Sequence, residues 1–203
     1  MEKKGISQAV IQRLPRYYRY LEDLMDQKID RISSSELSKR MHLTASQIRQ
    51  DLNNFGGFGQ QGYGYNVKNL HEEIGKILNI DREHPIIIVG AGHLGIALAN
   101  YTNFRKRGFV LRGIFDSNPK LWGEKVGDLK IAPMEEIESV VKQYHIRLDV
   151  AVPVAEKLIS YGIDGLWNFA HVDLEVPDHV VTENVHLSES LMRLSYRVFE
   201  ERS

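Results

Sequence analysis

The chain has 203 residues, 42% hydrophobic and 26% charged, a balance that fits a folded core and excludes disordered and collagen-like classes. It contains no cysteine, which rules out disulfide frameworks, thiolate metal sites, iron–sulfur clusters and cysteine nucleophiles, so a redox role would need a cofactor. The net charge of −1 hides an asymmetry: residues 1–50 carry ten basic and six acidic side chains, residues 81–203 carry 14 and 18, and the basic end suits a polyanion.

No apolar run approaches the ~18 residues of a spanning helix, and no secretory pattern opens the chain, so a cytoplasmic protein with no membrane partner is expected. Up to about residue 80 the apolar spacing is helical. Pro15, suited to a first helical position, predicts a short helix from about Ser7 and a second from about Arg16 to Met25, with Tyr17, Leu21 and Leu24 on one stripe. Ser33-Ser34-Ser35-Glu36 is a capping box, and Thr44-Ala45-Ser46-Gln47, eleven residues on, is another. With Met41-His42-Leu43 as the connection, this is helix-turn-helix spacing, covering about residues 17–56. The second helix, about Ala45 to Phe55, should bury Ile48 and Leu52 and expose Ser46, Gln47, Arg49, Gln50 and Asn53. Amide and guanidinium side chains in the first turns of such a helix can bond base edges in a major groove.

Residues 55–67 place five glycines among aromatics, and Tyr63, Tyr65 and Val67 alternate as in a strand, so a hairpin wing is expected after the recognition helix. Lys39, Arg40, Gln60 and Tyr63 complete the candidate DNA-binding set. An ordinary three-helix bundle packed on a second domain is the alternative reading of the same caps. Val67, Leu70, Ile74, Ile77 and Leu78 form a further helical stripe, and the polar Asp81-Arg82-Glu83-His84 reads as a linker.

From there, short apolar runs alternate with helical segments: Ile86–Val89, Gly92–Tyr101, Phe109–Phe115, and Pro133–Tyr144 with Ile137, Val140, Val141 and Tyr144 on one face. This βαβ alternation predicts a mostly parallel sheet with helices on its faces. Gly90-Ala91-Gly92-His93-Leu94-Gly95 joins a buried strand to a helix, the context in which GxGxxG cradles a pyrophosphate at a helix N-terminus. Asp116 ends the next strand, 21 residues after Gly95, where a carboxylate would bond both hydroxyls of the adenosine ribose and favour NAD over NADP, with Lys120 nearby. The last segment sets Leu187, Leu191, Leu194 and Val198 on one helical face.

The eight histidines show no metal-ligand spacing, His93 reads as a helix-start residue, and His186 alone is a thin candidate for a catalyst. Little chain remains to build a substrate domain around a nicotinamide. A winged helix joined to a dinucleotide domain without catalytic equipment describes a sensor; the second reading is a small NAD-dependent reductase with an accessory winged helix.

These residues resemble the Rex family of bacterial redox-sensing transcriptional repressors. The likeness rests on Leu14-Pro15-Arg16-Tyr17-Tyr18-Arg19, Arg49-Gln50-Asp51-Leu52, Phe55-Gly56, Phe58-Gly59, Gly64-Tyr65, Gly90 to Gly95 with Ala97-Leu98-Ala99-Asn100-Tyr101, Asn168-Phe169-Ala170, and Asn184-Val185-His186-Leu187. The resemblance implies an α/β chain with three parts: a winged helix-turn-helix domain over 1–80, a Rossmann domain for NAD(H) over 81–186, and a carboxy-terminal helix over 187–203 exchanged with the partner of a homodimer. It implies repression from an inverted-repeat operator, relieved by NADH, with Gly90 to Gly95 on the pyrophosphate, Asp116 on the ribose and Tyr101 near the nicotinamide. Arg16 is similar to an arginine that pairs across subunits with an acidic residue, and the corresponding position here is His186. Two further departures are His171, where the family has proline after Asn-Phe-Ala, and residues 148–159, several residues short of the family's strand, turn and helix.

Overall fold

The computed structural model describes residues 7–54, 59–60, 64–150, 155–170 and 174–200. The chain divides into two units, Met1–Arg82 and Glu83–Ser203.

In the first unit a stripe of Val10, Leu14, Tyr17, Leu21 and Leu24 is buried along one helix, α1 (Gln8–Asp26). The break expected at Pro15 does not occur; the proline lies inside α1. Proline cannot donate to the carbonyl four residues back. That residue, Ile11, is 41% exposed, so water can take the bond while the buried stripe holds the helix together. A short strand β1 (Arg31–Ile32) precedes α2 (Ser34–Met41), which Ser33 caps with its side chain while Glu36 bonds back to the Ser33 N–H. His42, left-handed at φ 52°, closes α2 and turns the chain toward α3 (Ala45–Asn53).

The predicted hairpin is present as β2 (Gly59–Gln60) antiparallel to β3 (Gly64–Asn66), and β3 also pairs with β1, giving the order β1-β3-β2. The sequence reading missed β1, whose two residues carry no strand period. Tyr65 turns into the core, and Val67 opens α4 (Val67–Ile77) instead of continuing the strand. Asn66 explains the switch, because its side chain accepts the Asn69 N–H at 2.8 Å and caps the helix.

In the second unit β4 (His84–Val89) leads to α5 (His93–Ala99), α6 (Asn103–Lys106) and β5 (Phe109–Asp116). A hairpin of β6 (Lys125–Val126) and β7 (Leu129–Pro133), a 3-10 turn (Met134–Glu136), α7 (Ile137–Tyr144) and β8 (Leu148–Val150) follow. The unit ends with α8 (Ala155–Ser160), β9 (Gly165–Asn168), β10 (Val181–Asn184) and α9 (Leu187–Glu200). Strand order is β10-β9-β8-β4-β5-β7-β6, parallel except for β6. The chain builds outward from β4 through β5 and β7, then returns to set β8 on the other side of β4. That reversal is the switch point of a doubly wound sheet, where ligands bind beyond the carboxyl ends of the strands.

Both faces of the sheet are covered, as a parallel sheet requires. Ile87, Val89 and Phe115 pack with Ile137 and Val141 of α7 and Leu158 of α8, while Ile114 and Ile131 face Ala91 and the partly buried Ile96 and Ala99 of α5. Four sequence expectations are corrected. His84 belongs to β4 and not to a linker. The helix expected from Pro133 begins as the 3-10 turn, and Tyr144 is 38% exposed with the Arg112 guanidinium 5.1 Å from its ring centre. The helix expected to reach Tyr101 ends at Ala99.

Candidate functional site

The three glycines after β4 answer to different demands. Gly90 donates its N–H to the Phe115 carbonyl at 2.7 Å and sits at φ 103°, a conformation side chains rarely adopt. A Cβ on Gly95 would lie 1.9 Å from the Gly90 carbonyl oxygen, so helix and strand can close only on glycine there. Gly92 has neither constraint: φ is −69° and a Cβ would meet nothing within 4 Å. The fold therefore explains Gly90 and Gly95 and leaves Gly92 facing open space, the place where a ligand phosphate could approach the backbone. The N–H groups of His93, Leu94 and Gly95 precede the first intrahelical bond of α5, from Ile96 N–H to Gly92 C=O at 3.0 Å, and His93 and Leu94 are exposed.

Asp116 stands against this turn. One carboxylate oxygen accepts the Ala91 N–H at 2.6 Å and the other accepts the Asn118 N–H at 2.8 Å. Each oxygen keeps a further acceptor position, so the group is oriented and can still take two hydroxyls. Trp122 donates its indole N–H to the Asp116 carbonyl at 2.8 Å and closes the same corner.

Tyr101 is 49% exposed and its hydroxyl accepts from Asn103 Nδ2 at 3.1 Å. Its ring meets Phe104 edge-on at 5.0 Å, and the row continues through Trp167 at 5.8 Å to Phe169 at 4.6 Å. Sequence reasoning singled out Tyr101 and missed Phe104 and Trp167; the spacing of three between Tyr101 and Phe104 was the available signal. Asn168 is buried at the end of β9, donates to Asn184 Oδ1 at 2.8 Å, and through its carbonyl accepts the Val185 N–H at 2.8 Å. It thus fixes the chain that leads to His186, which is half-buried at the start of α9. Along α9, Leu191, Met192 and Leu194 are exposed by 56–68%. The side chains of Leu187 and Val198 lie outside the described residues.

In the first unit Ser46, Arg49 and Gln50 project from α3 to solvent, and Lys39 and Arg40 from the last turn of α2. Arg49 Nη1 donates to Ser34 Oγ at 3.0 Å, tying the two helices. Thr44 caps α3 by accepting the Gln47 N–H at 3.1 Å, but the reciprocal half of the second capping box is absent. Gln47 instead donates to Asp51 Oδ1 at 2.8 Å. Asp51, which the sequence reading did not select, is fully buried and takes a bidentate pair from Arg13 and the hydroxyl of Tyr17. Burial alone would raise its pKa, yet the hydrogen bonds from Arg13, Gln47 and Tyr17 outweigh it and hold the carboxyl below its ordinary value. The backbone of Gln60 lies in β2, its side chain and the whole of Tyr63 lie outside the described residues, and the Arg16 guanidinium stands 6.0 Å from the centre of the Tyr20 ring. Among the described residues no group of three or more His, Asp or Glu could hold a metal ion.

Residues 5–53 match the family model described as "Putative DNA-binding protein N-terminus", and residues 81–172 match "CoA binding domain". The chain is 57% identical over 204 residues to a redox-sensing transcriptional repressor Rex of Clostridium novyi, covering 97% of each chain. It is 55% identical to that of Caldanaerobacter subterraneus subsp. tengcongensis, covering 99% of this chain and 93% of the other. Among solved structures, RSP in complex with β-NAD+ and operator DNA superposes with a TM-score of 0.91 at 52% identity, over 98% of this chain and 95% of that one. RSP in complex with β-NADH gives 0.88 at 50%, over 97% and 96%.

Proposed function

The chain belongs to the Rex family of redox-sensing transcriptional repressors, and from that membership we propose how its own residues bind DNA, hold the nucleotide and couple the two. The chain binds operator DNA when NADH is scarce and leaves it when NADH binds. The observation that carries this is that a chain 52% identical over nearly the full length has been solved with operator DNA and NAD+ together. The family's members are repressors and not enzymes, so the reductase reading falls away.

In this reading residues 1–80 form the winged DNA-binding domain. Ser46, Gln47, Arg49 and Gln50 face the groove, Lys39 and Arg40 face phosphates, and Gln60 and Tyr63 stand in the wing. Residues 81–186 hold the nucleotide: Gly90, Ala91 and Gly92 with the first N–H groups of His93, Leu94 and Gly95 bind the pyrophosphate, and Asp116 accepts from both ribose hydroxyls. That carboxylate disfavours a phosphorylated ribose, which argues for NAD(H) over NADP and over coenzyme A despite the domain description that this region matches.

NAD+ and NADH share everything these residues touch, so discrimination lies at the nicotinamide. The oxidised ring is a cation and the reduced ring is neutral, and closing Tyr101 and an apolar helix over it penalises the cation by desolvation. Residues 187–203 supply that helix, exchanged between the two copies of a homodimer; the exposed Leu191, Met192 and Leu194 are the side chains such an exchange would cover. Arg16 and His186 are the residues through which the arrangement would reach the DNA-binding domain, and a cytoplasmic location goes with the role. The test is fluorescence anisotropy of a labelled inverted-repeat duplex. NADH should release the duplex and NAD+ should not, and retention in the presence of saturating NADH would overturn the proposal.

A further inference from the structure

One buried charge in the first unit has no part in the scheme so far. Asp51 lies on α3 yet is wholly buried. Its Oδ2 accepts from Arg13 Nε at 2.7 Å and from the Tyr17 hydroxyl at 2.9 Å; its Oδ1 accepts from Arg13 Nη2 and from Gln47 Nε2, each at 2.8 Å. A carboxylate offers about four acceptor positions, and here all are filled. The Arg13 fork and the Tyr17 hydroxyl come from α1, whose Leu14 and Tyr17 share one core with Ile48 and Leu52 of α3, so the carboxylate cannot turn.

An acceptor-only neighbour decides which way a glutamine amide faces. Reversed, Gln47 would bring Oε1 against a carboxylate oxygen with no proton between them. The amide nitrogen must therefore face Asp51 and the carbonyl must face away. Gln47 occupies the first turn of α3, half-exposed between the exposed Ser46 and Arg49.

We propose that Asp51 is a positioning residue for base selection: it fixes the polarity of Gln47, so that α3 presents Oε1 as an acceptor to the major groove and favours adenine or cytosine over guanine or thymine at the base it meets. Adenine N6 and cytosine N4 offer amine donors there, whereas guanine O6 and thymine O4 offer only acceptors. A glutamine without that anchor could flip and take either kind. The inference rests on the reading of α3 as the DNA-reading helix. The competing role for Asp51, glue between α1 and α3, predicts a change in stability with no change in base preference.

The experiment is selection from a pool of random-sequence duplexes by the full-length protein and its variants, followed by sequencing. The wild type should enrich adenine or cytosine at one position of each half-site by about fivefold, the worth of one hydrogen bond. Gln47→Ala should lose the preference at that position alone. In Asp51→Ala nothing holds the glutamine amide, which can then turn either way, so the preference at that position should be lost. Gln47→Glu serves if Asp51→Ala does not fold: a carboxylate presents an oxygen whichever way it turns, so it should keep the preference for adenine or cytosine. Wild-type selection by Gln47→Ala or by folded Asp51→Ala, or loss of the adenine or cytosine preference in Gln47→Glu, overturns the inference. Arg49→Ala separates the two failures: if it weakens duplex binding while Gln47→Ala and Asp51→Ala select as wild type, only this inference falls. If neither it nor Gln47→Ala affects binding, the assignment of α3 falls with it.

Discussion

Replacing each of the three turn glycines by alanine separates what the fold requires from what the ligand requires. At Gly92, φ −69° and an empty 4 Å sphere around the new Cβ leave alanine unstrained. Its lost chain entropy in the unfolded state and its weaker capping nearly cancel, so Gly92→Ala should change stability by less than about 1 kcal/mol. At Gly90, φ 103° should cost an alanine about 1–3 kcal/mol. At Gly95, a Cβ 1.9 Å from the Gly90 oxygen must push α5 off β4, an overpacking of about 1–3 kcal/mol or more. At about 4 °C per kcal/mol, thermal unfolding should leave Gly92→Ala within a few degrees of wild type and lower the other two. Calorimetric titration with NADH should then show Gly92→Ala losing affinity at least about tenfold, because the methyl group fills the space where the pyrophosphate meets the backbone. Wild-type NADH affinity in a folded Gly92→Ala protein would refute the assignment of that space.

The Asp51 cluster carries a pH dependence. Its carboxyl is held below the unfolded value of about 3.9, so the stabilisation is complete above that value and is lost as pH falls through the lower folded one. Acid unfolding monitored by circular dichroism should show this loss, and in Asp51→Asn it should vanish, with a neutral-pH cost of about 1.5–3 kcal/mol as the partly exposed Arg13 loses its ionic partner; an unchanged acid limb would contradict it. Lys39→Ala and Arg40→Ala should weaken operator binding alike on all sequences and flatten the salt slope by about one each, read by anisotropy across a salt series. Deleting residues 188–203 should abolish the dimer or its response to NADH, which sedimentation velocity and the same anisotropy assay report, since it removes Leu191 and Leu194, the exposed apolar side chains that the exchange would bury against the partner.

Much of this was legible in the residues. Capping boxes act locally, so Ser33 and Glu36 marked the start of α2 without tertiary information. The glycine turn was legible because each glycine answers to its own geometry, and Asp116 because a strand end fixes a side chain's position relative to the turn beside it. What was missed depends on contacts distant in sequence. Asp51 reads as a surface acid on a recognition helix until Arg13 and Tyr17, 38 and 34 residues earlier, are packed against it. The same holds for β1, two residues long and defined only by its pairing with β3. Pro15 misled for the opposite reason: a local rule for breaking helices was overridden by the burial of one continuous stripe.

The central claim is that nucleotide and operator compete through one conformational equilibrium. Such coupling is reciprocal, so whatever NADH does to operator affinity the operator must do to NADH affinity. Driving a population from 1:99 to 99:1 takes about 5.5 kcal/mol of differential binding, which two sites in a dimer would share. The most direct measurement is a calorimetric titration of NADH into the protein alone and into the protein saturated with its inverted-repeat duplex. The account predicts weaker NADH binding in the complex, by the same factor by which NADH weakens the duplex. Equal NADH affinity in both titrations would contradict it, even if the chain bound each ligand separately.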